Sequence, residues 1–175
     1  NKDEAKVMVD GYWPAGTNYV NEANLPAAFF ENAATGGDTK LLFEKRDGEW
    51  IGYSWNFVAD KVARLASVLV DAGVSAGDRV LVTAENRPEW AIADLAVMAI
   101  GAIVVPAYTT NTEDDHHFII DHSGASVAIT SGEMLATRVC LAAERASALK
   151  TLITMNPDFN SPKLTRTKLL DWTQA

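Results

Sequence analysis

Side chains able to do chemistry are sparse in this sequence, and their spacing narrows what they could do. His116, His117 and His122 fall in one short segment, with Asp121 four residues after His117. Residues four apart share a helix face, so His117 and Asp121 could face one metal while His122 points elsewhere. A zinc site needs three or four convergent ligands, so these histidines read as polar residues of an exposed helix. Cys140 is the only cysteine. It excludes an internal disulfide and an all-thiolate zinc site, and it suits a reducing compartment. No G-x-S-x-G or Cys–His arrangement offers an activated nucleophile. Glu31, Asp38, Glu44 and Glu49 make no pair spaced for acid–base work. Neither G-x-G-x-x-G after a strand nor G-x-x-x-x-G-K-[ST] is present, so the glycines that let a phosphate approach the backbone in those motifs are missing.

Composition excludes further classes. The 175 residues are 48% hydrophobic and 22% charged, with a net charge of −8. That balance is ordinary for a globular domain with one core. Lys and Arg are scattered singly, without the basic patch that nucleic-acid phosphates require. Between residues 90 and 108 the only charge is Asp94. Asp94 within a bilayer would cost roughly 2.5–3.5 kcal/mol, and Gly101 and Pro106 interrupt the stretch. A buried helix followed by a buried strand accounts for it instead. The five tryptophans, Trp13, Trp50, Trp55, Trp90 and Trp172, are dispersed and read as core and hairpin packing rather than a stacking platform. The N-terminus lacks a basic-then-apolar signal pattern, and a cytoplasmic location is expected, with peripheral membrane association as its variant.

The elements that must position these residues follow from local patterns. Residues 1–24 show no period and are expected to wrap over the surface. Pro26 opens a short helix through Phe29 and Phe30 that stops at Gly36-Gly37. Asp47-Gly48 between two apolar runs signals a β-hairpin, because glycine tolerates the positive φ of its turn. Ser54 caps a helix whose Val58, Val62, Leu65, Ala66 and Leu69 recur at helical spacing, and Gly73 ends it. A strand is expected over 79–83. Asn86-Arg87-Pro88-Glu89 reads as a capping box for a helix over 90–100 that is apolar nearly all round, and a strand follows over 102–105. Thr112 caps the next helix, with Glu113, Asp114 and Asp115 against its positive end. A strand over 126–130, a second capping box at Thr130-Ser131-Gly132-Glu133, a helix to about Leu149 and a strand over 151–155 complete the series. Residues 157–175 read as a loop with a short helix over 164–172. The fold class is α/β, a mostly parallel sheet with helices on both faces, preceded by a β-hairpin. Such sheets bind ligands beyond the carboxyl ends of their strands, here the turns 84–87, 106–111 and Ser131-Gly132.

Three runs, in order, carry a resemblance. Tyr53-Ser54-Trp55 is similar to the first core motif of adenylate-forming enzymes. Gly73-Val74-Ser75-Ala76-Gly77-Asp78-Arg79-Val80, followed by Asn86-Arg87-Pro88-Glu89-Trp90, resembles the corresponding run of acyl-CoA synthetases. Met98-Ala99-Ile100-Gly101-Ala102-Ile103-Val104-Val105-Pro106 resembles the second core motif. The continuation Ala107-Tyr108-Thr109-Thr110-Asn111-Thr112, then His122-Ser123-Gly124-Ala125, leans toward long- or medium-chain fatty-acid–CoA ligases.

The resemblance covers roughly residues 25–156, which it marks as the α/β N-terminal subdomain of an AMP-binding domain. It implies a parent that uses ATP, magnesium and CoA: a fatty-acid carboxylate attacks the α-phosphate of ATP, and the CoA thiol then displaces AMP. In such enzymes the phosphate loop, the adenine and magnesium region and a mobile lysine all follow the segment present here. The isolated chain is therefore expected to be inactive and to bind neither ATP nor CoA tightly. It is also expected to expose an apolar face that invites a homodimer. Asn86, Tyr108 and Thr109, at strand ends, are expected to border the parent's cleft. The motif residues otherwise read as scaffold. The alternative is a stand-alone regulatory or interaction module. A receiver-type unit should show paired acids after its first strand and a lysine after its last, and Thr83-Ala84-Glu85 and Met155-Asn156-Pro157 supply neither.

Overall fold

The computed structural model describes residues 24–156 and 158–174. Trp13 and nearly all of the expected surface-wrapping segment lie outside the described residues. Helix α1 (Leu25–Gly36) begins where the Asn24 side chain accepts a hydrogen bond from the Ala27 amide at 2.9 Å. Strands β1 (Lys40–Arg46) and β2 (Glu49–Ser54) form the expected antiparallel hairpin. Asp47 and Gly48 both take positive φ, 52° and 89°, the conformation that matches a two-residue turn to the twist of its strands. Helix α2 (Trp55–Asp71) is capped by Ser54, which accepts from the Phe57 amide at 3.2 Å. Its stripe of Val58, Val62, Leu65 and Leu69 is fully buried, and Gly73, at φ 88°, turns the chain out of it.

From there strands and helices alternate: β3 (Arg79–Thr83), α3 (Pro88–Ala99), β4 (Ile103–Pro106), α4 (Glu113–Ser123), β5 (Val127–Thr130), α5 (Glu133–Arg145) and β6 (Thr151–Thr154). Strand β7 (Lys168–Asp171) and a 3-10 turn (Trp172–Gln174) follow. The sheet has five parallel strands in the order β4-β3-β5-β6-β7. Strand periodicity sorts its side chains between two cores. Val80, Val82, Val127, Ile129 and Ile153 face α2 and α3, on which α1 packs. Leu81, Ala128 and Leu152 face α4 and α5. Every residue of β5 and β6 is buried, which is why both read as unbroken β-rich runs.

Several expectations fail. The fifth strand of the main sheet is β7, where a short helix was expected. The vacant edge of β6 recruits Lys168–Asp171 in parallel register. Strand β4 is the opposite edge rather than a buried strand, and Ile103 is half exposed. Helix α5 stops at Arg145, because Ala146 turns extended. Neither Asn86 nor Thr130 caps a helix. Pro88 is at the start of α3, which makes Arg87 the cap residue, and α5 starts from Gly132. Trp50, expected to pack, is exposed on the hairpin.

Candidate functional site

The chain leaves β3 toward β4 on one side and later returns to β5 on the other. The strand order therefore reverses between β3 and β5, and ligands of open α/β sheets bind beyond the carboxyl ends at such a point. Two open cavities lie at the carboxyl ends of these strands, one at β3 and β4 and the other reaching the turn after β5. One, of about 590 Å³, is lined by Ala84, Glu85, Asn86, Trp90, Pro106, Ala107, Tyr108 and Thr109. The other, of about 1040 Å³, shares Glu85 and Thr109 with it and runs along Gly132, Met134 and Arg138 at the start of α5. The three turns expected at strand ends thus come together, and so do Asn86, Tyr108 and Thr109.

Strand register builds the wall between the cavities. Thr83 pairs with Thr130, and the Ser131 amide donates to the Thr83 carbonyl at 3.2 Å. This brings the turn after β3 beside the turn after β5. The buried Ser131 hydroxyl donates to the Glu85 carboxylate. Gly132 must stay small there: its φ is 65°, and a Cβ would come within 3.2 Å of Glu85 Oε1. The Gly132 amide donates to Asn156 Oδ1 at 3.2 Å. Arg138 turns its guanidinium to the carbonyls of Thr109 and Asn111, at 3.4 and 3.3 Å, and so holds the turn after β4. Thr83 Oγ1 is buried without a hydrogen-bond partner among the described residues.

Asn86 is exposed with no side-chain hydrogen bond among the described residues, and Tyr108 is 80% exposed. Beside them, Arg87 grips Glu89 through two hydrogen bonds of 2.8 and 3.1 Å. Burial pushes the Glu89 carboxyl up, but the Arg87 guanidinium, the Glu89 backbone amide and the Arg46 charge together outweigh it, so its pKa ends below the usual range.

Glu85, Ser131, Arg138 and Asn156 were not singled out as site side chains. Glu85 and Ser131 stood inside turns already marked as strand ends. Nothing local marks Arg138, on the second turn of α5, or Asn156. The three histidines diverge. His116 is fully buried rather than exposed, His117 Nε2 lies 3.2 Å from Asp121 Oδ2, and His122 stacks on Phe118. Burial, with Glu144 adding to it, pushes the Cys140 thiol up to about 11, so it stays a protonated core residue.

Comparison with known proteins places this architecture. Residues 29–173 match the AMP-binding enzyme family. The chain belongs to that family. The long-chain-fatty-acid–CoA ligase FadD15 of Mycobacterium tuberculosis is 30% identical to it over 140 residues, 80% of this chain and 23% of that protein. Among solved structures, coronafacic acid ligase from Pectobacterium brasiliense superposes with a TM-score of 0.74 at 17% identity, over 85% of this chain and 28% of its own. A benzoate CoA ligase from Burkholderia xenovorans reaches 0.66 at 25% identity, over 75% of this chain and 26% of its own. The chain spans about a quarter of the length of these relatives.

The site does not by itself fit the nucleotide and metal that an AMP-binding enzyme implies. The smaller cavity carries the Glu85 carboxylate and neither lysine nor arginine. Arg138 in the larger one is turned to backbone carbonyls. Among the described residues no three His, Cys, Asp or Glu side chains converge as a metal site would require. No helix among them is long and apolar enough to cross a membrane.

Proposed function

We propose that this chain is the N-terminal α/β unit of an AMP-forming fatty-acid–CoA ligase acting on long- or medium-chain acids. The observation that carries the reading is the meeting of Asn86, Tyr108 and Thr109 around one cavity at the carboxyl ends of β3 and β4, in a chain of the AMP-binding family. In the whole enzyme, ATP with magnesium would convert the acyl carboxylate to an adenylate, and CoA would take the acyl group as a thioester. This unit would supply one wall of the cleft, with Asn86, Tyr108 and Thr109 bordering it. Residues 25–156 would form the subdomain proper, and 157–175 would lead on from it. A cavity wall of Glu85 and exposed aromatic surface, without a cationic cradle, supports a wall rather than a nucleotide site. The chain alone would bind ATP and CoA weakly, turn over nothing, and pair with itself through uncovered apolar surface. Its location would be cytoplasmic, with peripheral membrane association.

Pyrophosphate–ATP exchange in the presence of a fatty acid tests the reading. The isolated chain should give none, and a longer ligase carrying this segment should give exchange that weakens when Tyr108 is replaced by alanine. Micromolar ATP binding to the isolated chain, seen by calorimetry, would refute it.

A further inference from the structure

The β1–β2 hairpin has two unlike faces. Cross-strand partners share a face, and Leu42 and its partner Tyr53 pack on the core. Glu44, Ile51, Arg46 and Glu49 lie on that same inner side by alternation. There Glu44 accepts hydrogen bonds from Tyr53 and Arg46. The outer face carries Phe43 opposite Gly52 and Lys45 opposite Trp50. The Lys40 stem joins them: it and the Phe43 ring lie within 3.1 Å of where a Gly52 Cβ would stand. Trp50 is 68% and Phe43 56% exposed. Neither lysine forms an ion pair among the described residues.

We infer that this outer face docks on an anionic lipid bilayer, with Trp50 and Phe43 entering the headgroup layer and Lys40 and Lys45 meeting lipid phosphates. Two exposed aromatic rings flanked by two lysines suit the membrane interface, where amphipathic rings settle and basic side chains are drawn to acidic lipids. The chain's net charge of −8 does not oppose this, because charges beyond about 8 Å are screened at physiological salt. Sorting is strict: the outer strand positions hold lysine alone among charged residues, and the carboxylates of both strands lie on the inner side. Two-fold pairing with a second copy would bring like-charged lysines together. The inference gives peripheral association a surface and rests on the hairpin alone, so it stands or falls separately from the ligase reading.

Co-sedimentation of the full chain with vesicles tests it, using phosphatidylcholine alone and phosphatidylcholine mixed with phosphatidylserine. Binding is expected to the mixed vesicles only and to weaken as salt rises. Lys45→Ala should lower the partition coefficient about fivefold and Trp50→Ala about tenfold. Both positions are exposed, so far-UV circular dichroism and the thermal midpoint should not change. Equal binding to both vesicle types, no binding, or wild-type binding by Trp50→Ala overturns the inference. So does lipid-free self-association that Trp50→Ala abolishes, which would assign the face to a second copy.

Discussion

His116 stands where α4 should present an apolar side chain. It and Ile120 are the buried residues of that helix, one turn apart, and neither ring nitrogen has a hydrogen-bond partner among the described residues. Burial lowers its pKa; Asp115 opposes that shift and Arg138 on α5 adds to it. A histidine with a depressed folded pKa leaves the unfolded chain holding more protons just below pH 6.5, so stability should fall as pH drops through that window. One proton sets the ceiling of the slope at about 1.4 kcal/mol per pH unit. His116→Leu removes both the titration and the unpartnered ring. The polar burial it relieves is worth about 1–3 kcal/mol, and imperfect packing of the new shape returns about 1 kcal/mol. The variant should therefore gain about 1 kcal/mol at pH 7.5, or about 2–4 °C in thermal midpoint for a domain of this size. At pH 5.5 the gap should widen by up to about 1.4 kcal/mol. Urea denaturation followed by circular dichroism at both pH values measures this. A variant that loses more than about 1 kcal/mol at pH 7.5, or keeps the wild-type slope, would refute the reasoning.

Three further substitutions check separate features. Asn86→Ala should change stability by less than about 0.5 kcal/mol, because Asn86 caps nothing; a loss of about 1 kcal/mol in urea melts would restore the capping box. Gly124→Ala forces a left-handed residue (φ 67°) whose Cβ falls 2.8 Å from Arg79 Nη2, so melts should show a loss of about 1–2 kcal/mol. That ought to be accompanied by strain on the 2.6 Å hydrogen bond from Arg79 to the Ser123 carbonyl. Arg87→Ala leaves only the Glu89 amide and the more distant Arg46 charge to oppose burial at Glu89. An NMR titration should then find the Glu89 pKa moved upward, with a loss of about 1 kcal/mol for this partly exposed pair at neutral pH.

The features legible from sequence were those fixed within a few residues. Asp47-Gly48 dictates its own turn, and the α2 stripe follows from spacing alone. The failed caps were also local, but a stronger local rule governed each. Pro88 at a first helical position already names Arg87 as the cap. Thr130 is held in the sheet by its partners Thr83 and Thr154, so the chain cannot turn helical until after Gly132. Strand β7 and the half-exposed β4 were illegible for a different reason. Lys168-Leu169-Leu170-Asp171 has no period of its own and becomes a strand because β6 offers an edge. Ile103-Val104-Val105 reads as a buried run, although no strand among the described residues lies beyond it.

The candidate site divides along the same line. Its turns could be placed, since they follow recognisable strands. Its wall could not, because Glu85 and Ser131 are 46 residues apart and meet only when β5 inserts beside β3 rather than beyond β4. That choice is made by the crossover: α4 packs on the face opposite α3, and its return carries β5 to the free side of β3. Glu85→Ala would therefore release the turn after β3 from Ser131 without disturbing either core. Site geometry in this fold is a property of strand order before it is a property of any motif.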